Sequence, residues 1–576
     1  MDKVADFLDR INKVVDHYLG DFEPQPGRDK VIHDPIWGSV VYYKWEIELI
    51  DTPLFQRLRD IRQLGMAEYT YPAARHSRYE HSLGTVAIAS KMLERLRARY
   101  SSSGKNTVTP DGDPIISEKD MYTVRLAALL HDIGHCVFSH LSEIVYGSMP
   151  EMKAIKEYIN EDSWQDISAK PHEIMSYLII TSDSFLEFFR KYVSFPKKGS
   201  RADCKKLLKE AANMVIGVNN YVVEGERLIF RSFLTGIINS DFDADKLDYT
   251  QRDSYTAGIA LTYGVERFLM KLTIDCQEEK DFTEYRLAVT DDALLTVEEL
   301  IFNRNILYFY IYMHQKVLAT EDVMQDCLRG LVASGRINHP CDFLYLSDSD
   351  INLLAKDVSV PYGEKAPNKT FADIAGKLQS RRLPKRCLVL DRHNFETSTA
   401  ELDDQINGLL EHIESTSKEN AALLIKKFGE DYGKMLSNAS APGAIKKLAT
   451  AFDYRTAEEY ENLRKEWLAL IAQYYEKAGR EVPEMDFLDL HIVLPTLKDS
   501  HLSLYVVSRT GEKYHKDSFA YINNWSDSFS TYKWRGYFFV SENIDKTIAA
   551  EAAQELIRIK RSYSDQDGLI KPLLWS

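Results

Sequence analysis

The stretch His131-Asp132-Ile133-Gly134-His135-Cys136-Val137-Phe138-Ser139-His140 constrains this chain more than any other. It follows the apolar run Leu126-Ala127-Ala128-Leu129-Leu130, so it is predicted to close a buried helix. Adjacent imidazole and carboxylate groups at such a helix end can point into one cavity. His81 upstream and Asp245 downstream complete a set of two imidazoles and two carboxylates. That donor mix suits a hard or borderline divalent cation with open positions, the kind that activates water against a phosphate. Gly134 permits a close turn through which His135 and His140 return towards the cation, where histidines give or take protons. A polar surface turn explains the stretch less well, because such a turn has no reason to follow so apolar a run.

A chain of 576 residues exceeds what one core usually supports, so more than one structural unit is expected. At 44% hydrophobic and 28% charged residues it reads as a globular protein. It has no apolar run long enough to span a bilayer, and residues 1–20 repeat apolar positions at helical spacing without a signal peptide's apolar core. No membrane partner is expected, and the six scattered cysteines read as reduced thiols in a cytoplasmic protein. A net charge of -15 speaks against a dedicated nucleic-acid binder, yet leaves room for a local basic pocket around a small polyanion.

Residues 1–335 read as a mainly α-helical unit, with helices predicted at 52–65, 81–98, 118–132, 171–192, 202–217, 227–239, 262–274, 291–319 and 321–332. A strand pair is predicted at 271–276 and 284–289. Residues 336–576 read as a smaller α+β region, with strands at 386–390, 487–494 and 502–507 and helices over 399–480 and 546–562. This second region is a candidate for regulation or oligomerisation.

Several segments add to the His-Asp stretch. Arg78 precedes His81 by three residues and can reach an anion bound at the cation. Pro171-His172-Glu173 opens an apolar helix; Glu173 fits ordinary helix-dipole chemistry there, or a proton relay with His172. Between Asp241 and Asp253, helical spacing puts Asp245, Asp248, Tyr249 and Arg252 on one face. So many acids repel one another unless a metal, Arg252 and Lys246 compensate them. Arg304, Tyr308 and Tyr312 form a further stripe, which is either core or the lining of a nucleotide pocket.

In this order the segments resemble the HD-domain phosphohydrolases, and within them the deoxynucleoside triphosphate triphosphohydrolases. The resemblance rests on KVIHDPIWG (30–38), DTPLFQRLRDIRQLG (51–65), HSRYEHSLG (76–84), HDIGHCVFSH (131–140), PHE (171–173), DADKLDYTQRDSYTAGI (243–259) and RNILYFYIYMH (304–314). It begins near residue 28, so the chain is expected to be a catalytic core with its own C-terminal elaboration. The resemblance implies a divalent metal (Mn, Mg, Fe, Zn or Ni) on His81, His131, Asp132 and Asp245. It implies that Arg78, Lys246 and Tyr249 hold the triphosphate and that Arg304 contacts its terminal phosphates. Gln63, Leu64, Asp253 and Tyr312 would recognise the sugar, with Tyr312 barring a 2′-hydroxyl. His135, His140, His172 and Glu173 would supply the acid-base set, His140 protonating the departing oxygen. Two positions depart from the pattern: Met313 stands where a polar residue lies near the base, and Glu143 replaces an aspartate beside His140.

The resemblance extends to an activator-nucleotide site at Lys30, Val31, Asp51, Arg59, Tyr71 and Arg267, with Asp51 facing Arg59 across a guanine edge. The implied reaction is dNTP plus water giving deoxynucleoside plus inorganic triphosphate, dGTP being one expected substrate. The implied assembly is a homo-oligomer, a tetramer being favoured, and family analogy adds a role in nucleotide-pool balance or phage defence. The alternatives are a phosphodiesterase or nuclease of the same superfamily, and a non-catalytic nucleotide sensor.

Overall fold

The computed structural model describes residues 3–25, 27–102, 116–163, 165, 167–196, 199–357, 374, 376–378, 380–391, 457–495, 504–508, 513–514 and 520–564. Helices dominate. The first, Lys3–Leu19, buries Phe7, Ile11, Val14 and Val15 on one face, as the apolar spacing predicts. The helix Arg78–Ser102 lies at the centre, where Val86, Ile88, Ala89, Met92, Leu93 and Leu96 are all buried. Its packing partners are the helices Glu118–Leu130 and Ala244–Ala257.

Local chemistry fixes where these helices begin and end. Ser117 and Asp120 form a capping box ahead of Glu118, and His131 caps the far end. Asp243 accepts from the Lys246 amide ahead of Ala244, and Gly258 ends that helix in the left-handed region at φ 71°. The predicted 171–192 helix is two helices, Pro171–Thr181 and Asp183–Tyr192, because Ser182 adopts an extended conformation and caps the second. Similarly, the 291–319 prediction resolves into Leu294–Leu307, a π-turn at Tyr308–Tyr312 and a new helix, Gln315–Ala333.

The strands are β1 (Lys30–Asp34), β2 (Gly38–Tyr42), β3 (Tyr221–Glu224), β4 (Arg227–Phe230), β5 (Leu272–Glu278), β6 (Phe282–Thr290), β7 (Lys385–Leu390), β8 (Leu490–Val493), β9 (Tyr505–Val507), β10 (Lys513–Tyr514) and β11 (Gly536–Val540). The predicted pair is the β5–β6 hairpin, in register from Leu272 opposite Val289 to Glu278 opposite Thr283. Two helix predictions fail where β-branched and aromatic residues pair instead: 227–239 begins as β4, and 262–274 gives only Val265–Leu269 before β5.

The expected division at 335/336 does not coincide with a break in packing. β9 joins β6 in parallel, Ala288 opposite Tyr505, and Leu378, Phe487 and Leu488 enter the same core as the first region. A separate core, built on Trp467, Phe538 and the helix Lys546–Ser564, lies beside the sheet β7-β11-β8. The two are joined by buried ions: Arg464 grips Asp326 at 2.7 and 3.1 Å, and Asp322 accepts from Tyr460 and His491 at 2.8 and 2.7 Å. Of the 399–480 prediction, the helix Ala457–Lys477 is observed and the remainder lies outside the described residues. Among the described residues no helix is long and apolar enough to cross a membrane.

Candidate active site

Three helices converge on His81. Its Nδ1 donates to Asp248 Oδ2 at 2.7 Å, and its Nε2 lies 2.9 Å from Asp245 Oδ1 and 3.3 Å from His131 Nε2. His131 in turn donates from Nδ1 to the Ala128 carbonyl at 2.8 Å. Each imidazole therefore spends its Nδ1 proton on a neighbour and aims Nε2 at a common point with Asp245. Carboxylate and carbonyl partners of this kind orient histidine ligands in metal sites. Asp132 lies 3.6 Å from His81 Nε2 and 3.4 Å from His131 Nε2, and also takes Arg78 Nη1 at 2.8 Å. The expected ligand set is thus brought together, with Asp132 shared between it and Arg78. Two imidazole nitrogens, one carboxylate at their side and a second within reach fit a divalent cation.

The surrounding charges hold this geometry. Asp248 also accepts from Arg252 Nε and Nη2, at 2.9 and 2.8 Å, and from the Trp37 indole. Arg252 reaches on to Asp34 at 2.8 Å. Burial would lower the His81 pKa, but hydrogen bonds to Asp245 and Asp248 outweigh it and hold the ring up to about 10. The pull that secures this proton also draws in a cation. Gly84, one turn beyond His81, is required here: a Cβ there would collide with the Asp248 carboxylate and the Arg252 guanidinium. The acidic 241–253 window is compensated as its sequence implies, by Arg252 on Asp248 and by Lys246 Nζ, 2.7 Å from Asp243 Oδ2.

Gly134 acts differently from the expectation. A Cβ there would strike the backbone of Met175 and Ser176 and the His172 carbonyl, so its lack of a side chain lets the Pro171–Thr181 helix approach. The tight backbone lies further on, where Phe138 and Ser139 take positive φ values of 52° and 54°. Such angles are costly for residues with side chains and concentrate at functional sites. Asp348 accepts from the Phe138 amide at 2.7 Å, and Ser139 Oγ accepts from Arg78 Nε at 2.8 Å, pinning the turn that delivers His140.

A second cluster stands beside the first. Glu143 Oε1 accepts from His140 Nδ1 and from His172 Nδ1, both at 2.8 Å. Burial alone would raise the Glu143 pKa, but His172 and His140 hold it well below the usual carboxylate range. Burial likewise opposes a proton on His172, and Glu143 outweighs it, so that pKa is raised. His140 carries a side chain 56% exposed and lines the cleft. His135 is fully buried in the same cluster and stacks on His172 with ring centroids 3.9 Å apart, its Nε2 3.3 Å from Asp132 Oδ1 and its Nδ1 3.7 Å from Glu143 Oε1. Glu173 accepts from the Lys170 amide at 2.7 Å in a capping box and stays 4.0 Å from His172. The carboxylate that bonds both rings is Glu143, which the sequence marks only as a departure beside His140.

The cleft has two lobes that share Lys170, His172, Asp245, Tyr249, Tyr308 and Tyr312. The first, about 270 Å³, adds His131, Lys246 and Arg304 together with Glu173, Asp241 and Asp243. The second, about 380 Å³, adds Gln63, Leu64, Arg78, Asp132, His140 and Asp253. All the residues expected to bind substrate therefore line one continuous space. Asp253 is fixed from two sides, by His76 Nε2 at 2.7 Å and by the Tyr312 hydroxyl. Gln63 is nearly buried and its Oε1 finds no donor among the described residues.

The expected activator residues come together only in part. Lys30 pairs with Asp51 at 2.9 Å, beside the exposed Val31. Arg59 lies 3.6 Å over the Tyr79 ring and donates to Gln56 at 2.7 Å. An aromatic face satisfies the guanidinium without the entropy cost of a second surface ion pair. Tyr71 instead bonds the Tyr310 carbonyl and packs edge-on against His314, and Arg267 is exposed on the helix Val265–Leu269.

Comparison with known proteins agrees with this geometry. The HD domain family matches residues 78–180, which span His81, His131, Asp132, His140 and His172. The deoxynucleoside triphosphate triphosphohydrolase SAMHD1 of Bos taurus is 28% identical over 300 residues, 50% of this chain and 45% of that one. Its Homo sapiens counterpart is 29% identical over 297 residues, 50% and 42% of the two chains. An uncharacterised protein of Mycoplasma pneumoniae is 31% identical over 292 residues, 50% and 57%. The chain thus spans about half the length of the curated relatives it matches. In fold it is similar to a hypothetical protein from Aquifex aeolicus, with a TM-score of 0.52 and 18% identity over 92% of this chain and 100% of that one. Helical architecture, the His-Asp centre and these relatives lead to one placement: residues 78–180 of this chain form an HD domain.

Proposed function

We propose that this protein is a metal-dependent phosphohydrolase that converts a deoxynucleoside triphosphate and water into the deoxynucleoside and inorganic triphosphate. The observation that carries the reading is the junction in the cleft. His81, His131 and Asp245 converge where a lobe that presents Lys170, Lys246 and Arg304 meets a lobe with an apolar wall, as a molecule with a polyanionic end and a nucleoside end requires. A divalent cation held by His81, His131, Asp132 and Asp245 would supply charge neutralisation and a lowered water pKa.

The chain's own residues do the rest. Lys246, Arg304 and Lys170 hold the phosphates, and Tyr249 lines the passage between the lobes. Arg78, braced by Asp132 and Ser139, presents a fixed positive charge beside the reacting phosphorus. Gln63, Leu64, Asp253 and Tyr312 frame the sugar, and the Tyr312 ring fills the space a 2′-hydroxyl needs. The water oxygen bonds to the α-phosphorus and the bond from that phosphorus to the 5′-oxygen breaks. His140, at the cleft wall, gives its Nε2 proton to the departing oxygen; burial holds its pKa down to about 4, and Glu143, bonded to Nδ1, opposes that pull.

Regulation by nucleotide extends this reading: Lys30, Asp51 and Arg59 form a polar surface patch around Tyr79 that suits a purine nucleotide. Assembly into a homo-oligomer would supply further cations for that nucleotide's phosphates. The test is to incubate the protein with each dNTP alone and with all four, with Mn²⁺ or Mg²⁺, and resolve the products. Nucleoside and triphosphate are expected, and turnover confined to mixtures marks an activator. Release of 5′-monophosphate, or of nothing under any mixture, refutes the reading.

A further inference from the structure

Glu321 has no task in the reaction described above. It lies on the helix Gln315–Ala333, which starts directly after the Tyr312 turn. Its neighbour Asp322 and the next-turn Asp326 are held by Tyr460, His491 and Arg464. Glu321 instead lines the second lobe of the cleft, on a wall that is otherwise apolar: Leu64, Ala67, Ile311 and Val317, with the Tyr308 ring. Among the described residues no donor or cation engages its carboxylate, and burial alone pushes its pKa up to about 8. A carboxyl group kept in such a place without a partner is unfavourable unless a ligand supplies one.

We propose that Glu321 reads the nucleobase, its two oxygens accepting the N1–H and the exocyclic 2-amino N–H of guanine. The inference rests on the nucleotide reading of the cleft and deepens it by naming the base. The remaining wall suits a flat ring, with aliphatic side chains and a tyrosine to cover its faces. Among the four DNA bases only guanine presents two adjacent N–H donors, which is what a carboxylate accepts in parallel. Adenine and cytosine present a donor beside an acceptor, and thymine a single donor between two carbonyls. Each of these leaves a carboxylate oxygen unpaired or facing a lone pair, and unpaired buried groups are the strongest source of discrimination in binding sites. The Gln63 amide oxygen, also without a donor among the described residues, lines the same lobe and adds a second acceptor.

The test uses deoxynucleosides, which carry no phosphate to be cleaved, so that recognition is read separately from turnover. Binding of deoxyguanosine, deoxyinosine, deoxyadenosine, deoxycytidine and thymidine to the metal-replete full chain is measured by calorimetry above pH 8, where the carboxyl of the empty cleft is ionised and both its oxygens accept. The same titrations are run on Glu321→Gln and Glu321→Leu, with thermal melting to verify folding. Deoxyguanosine is expected to bind at least about tenfold more tightly than deoxyinosine, which lacks the 2-amino group, and both variants should erase that difference. Equal binding of all the nucleosides, a preference for deoxyadenosine, absence of binding, or an unchanged guanine preference in both folded variants would overturn the inference. Guanine-selective binding without release of triphosphate from any dNTP would sustain it and remove the reaction instead. Triphosphate release without guanine selectivity would remove the inference alone.

Discussion

His81 Nε2 and His131 Nε2 stand 3.3 Å apart, and each ring has already committed its Nδ1 to an acceptor. Two nitrogen lone pairs this close repel unless a proton or a cation lies between them. Adding Mn²⁺ should therefore raise the melting temperature, by about 1.4 kcal/mol of stability for each tenfold excess over Kd. His131→Ala should remove that response and the bound metal counted by mass spectrometry. A cation-dependent shift that survives in the variant would contradict the assignment.

Glu143 receives both His140 and His172 on one oxygen, so the three act as a unit. Glu143→Gln should lower turnover by about 10²- to 10⁴-fold. His140→Ala should fall in the same range, and the double variant should be little worse than the poorer single variant. Losses that multiply in steady-state kinetics would show two independent roles.

The Gly84 helix runs against the Asp248–Arg252 pair with no room for a methyl group. Gly84→Ala should force that buried pair apart, at a cost of about 3–5 kcal/mol, and turn His81 away from its ligand position. Chemical denaturation and metal content should fall together. Loss of stability with full metal occupancy would separate the packing role from the site.

Glu321 offers a test by pH. Its pKa in the folded protein is raised from 4.5 to about 8, so the folded state holds this proton more tightly than the unfolded chain does. Its stabilising contribution is complete below the unfolded value and is lost as pH rises through about 8. The melting temperature of Glu321→Gln relative to the parent should therefore climb between pH 5 and pH 8 and level off above, a window set by those two values. A difference independent of pH, read by scanning calorimetry, would show that Glu321 stays ionised in the fold.

The residue types gathered at the candidate site and the helix faces were legible in the sequence because they follow local rules. An apolar run ending in His-Asp marks a buried helix end, and helical spacing aligns Asp245 with Asp248 whatever lies around them. Arg252 and Lys246 as counterions to the acidic window follow from the same spacing. Partner choice between distant segments is not written in such spacing. His81 meets Asp248 across 167 positions, Glu143 rather than Glu173 bonds His172, and Asp51 pairs with Lys30 while Arg59 lies on Tyr79. The left-handed turn at Phe138-Ser139 carries no glycine to announce it, and the π-turn at Tyr308–Tyr312 interrupts an apolar run that reads as continuous helix. By itself, then, the sequence determined the chemistry available and the helices that carry it. Tertiary packing alone decided which groups are brought together and which, like Glu321, are left facing the cleft, because burial and pairing are properties of the assembled surface and not of any one segment.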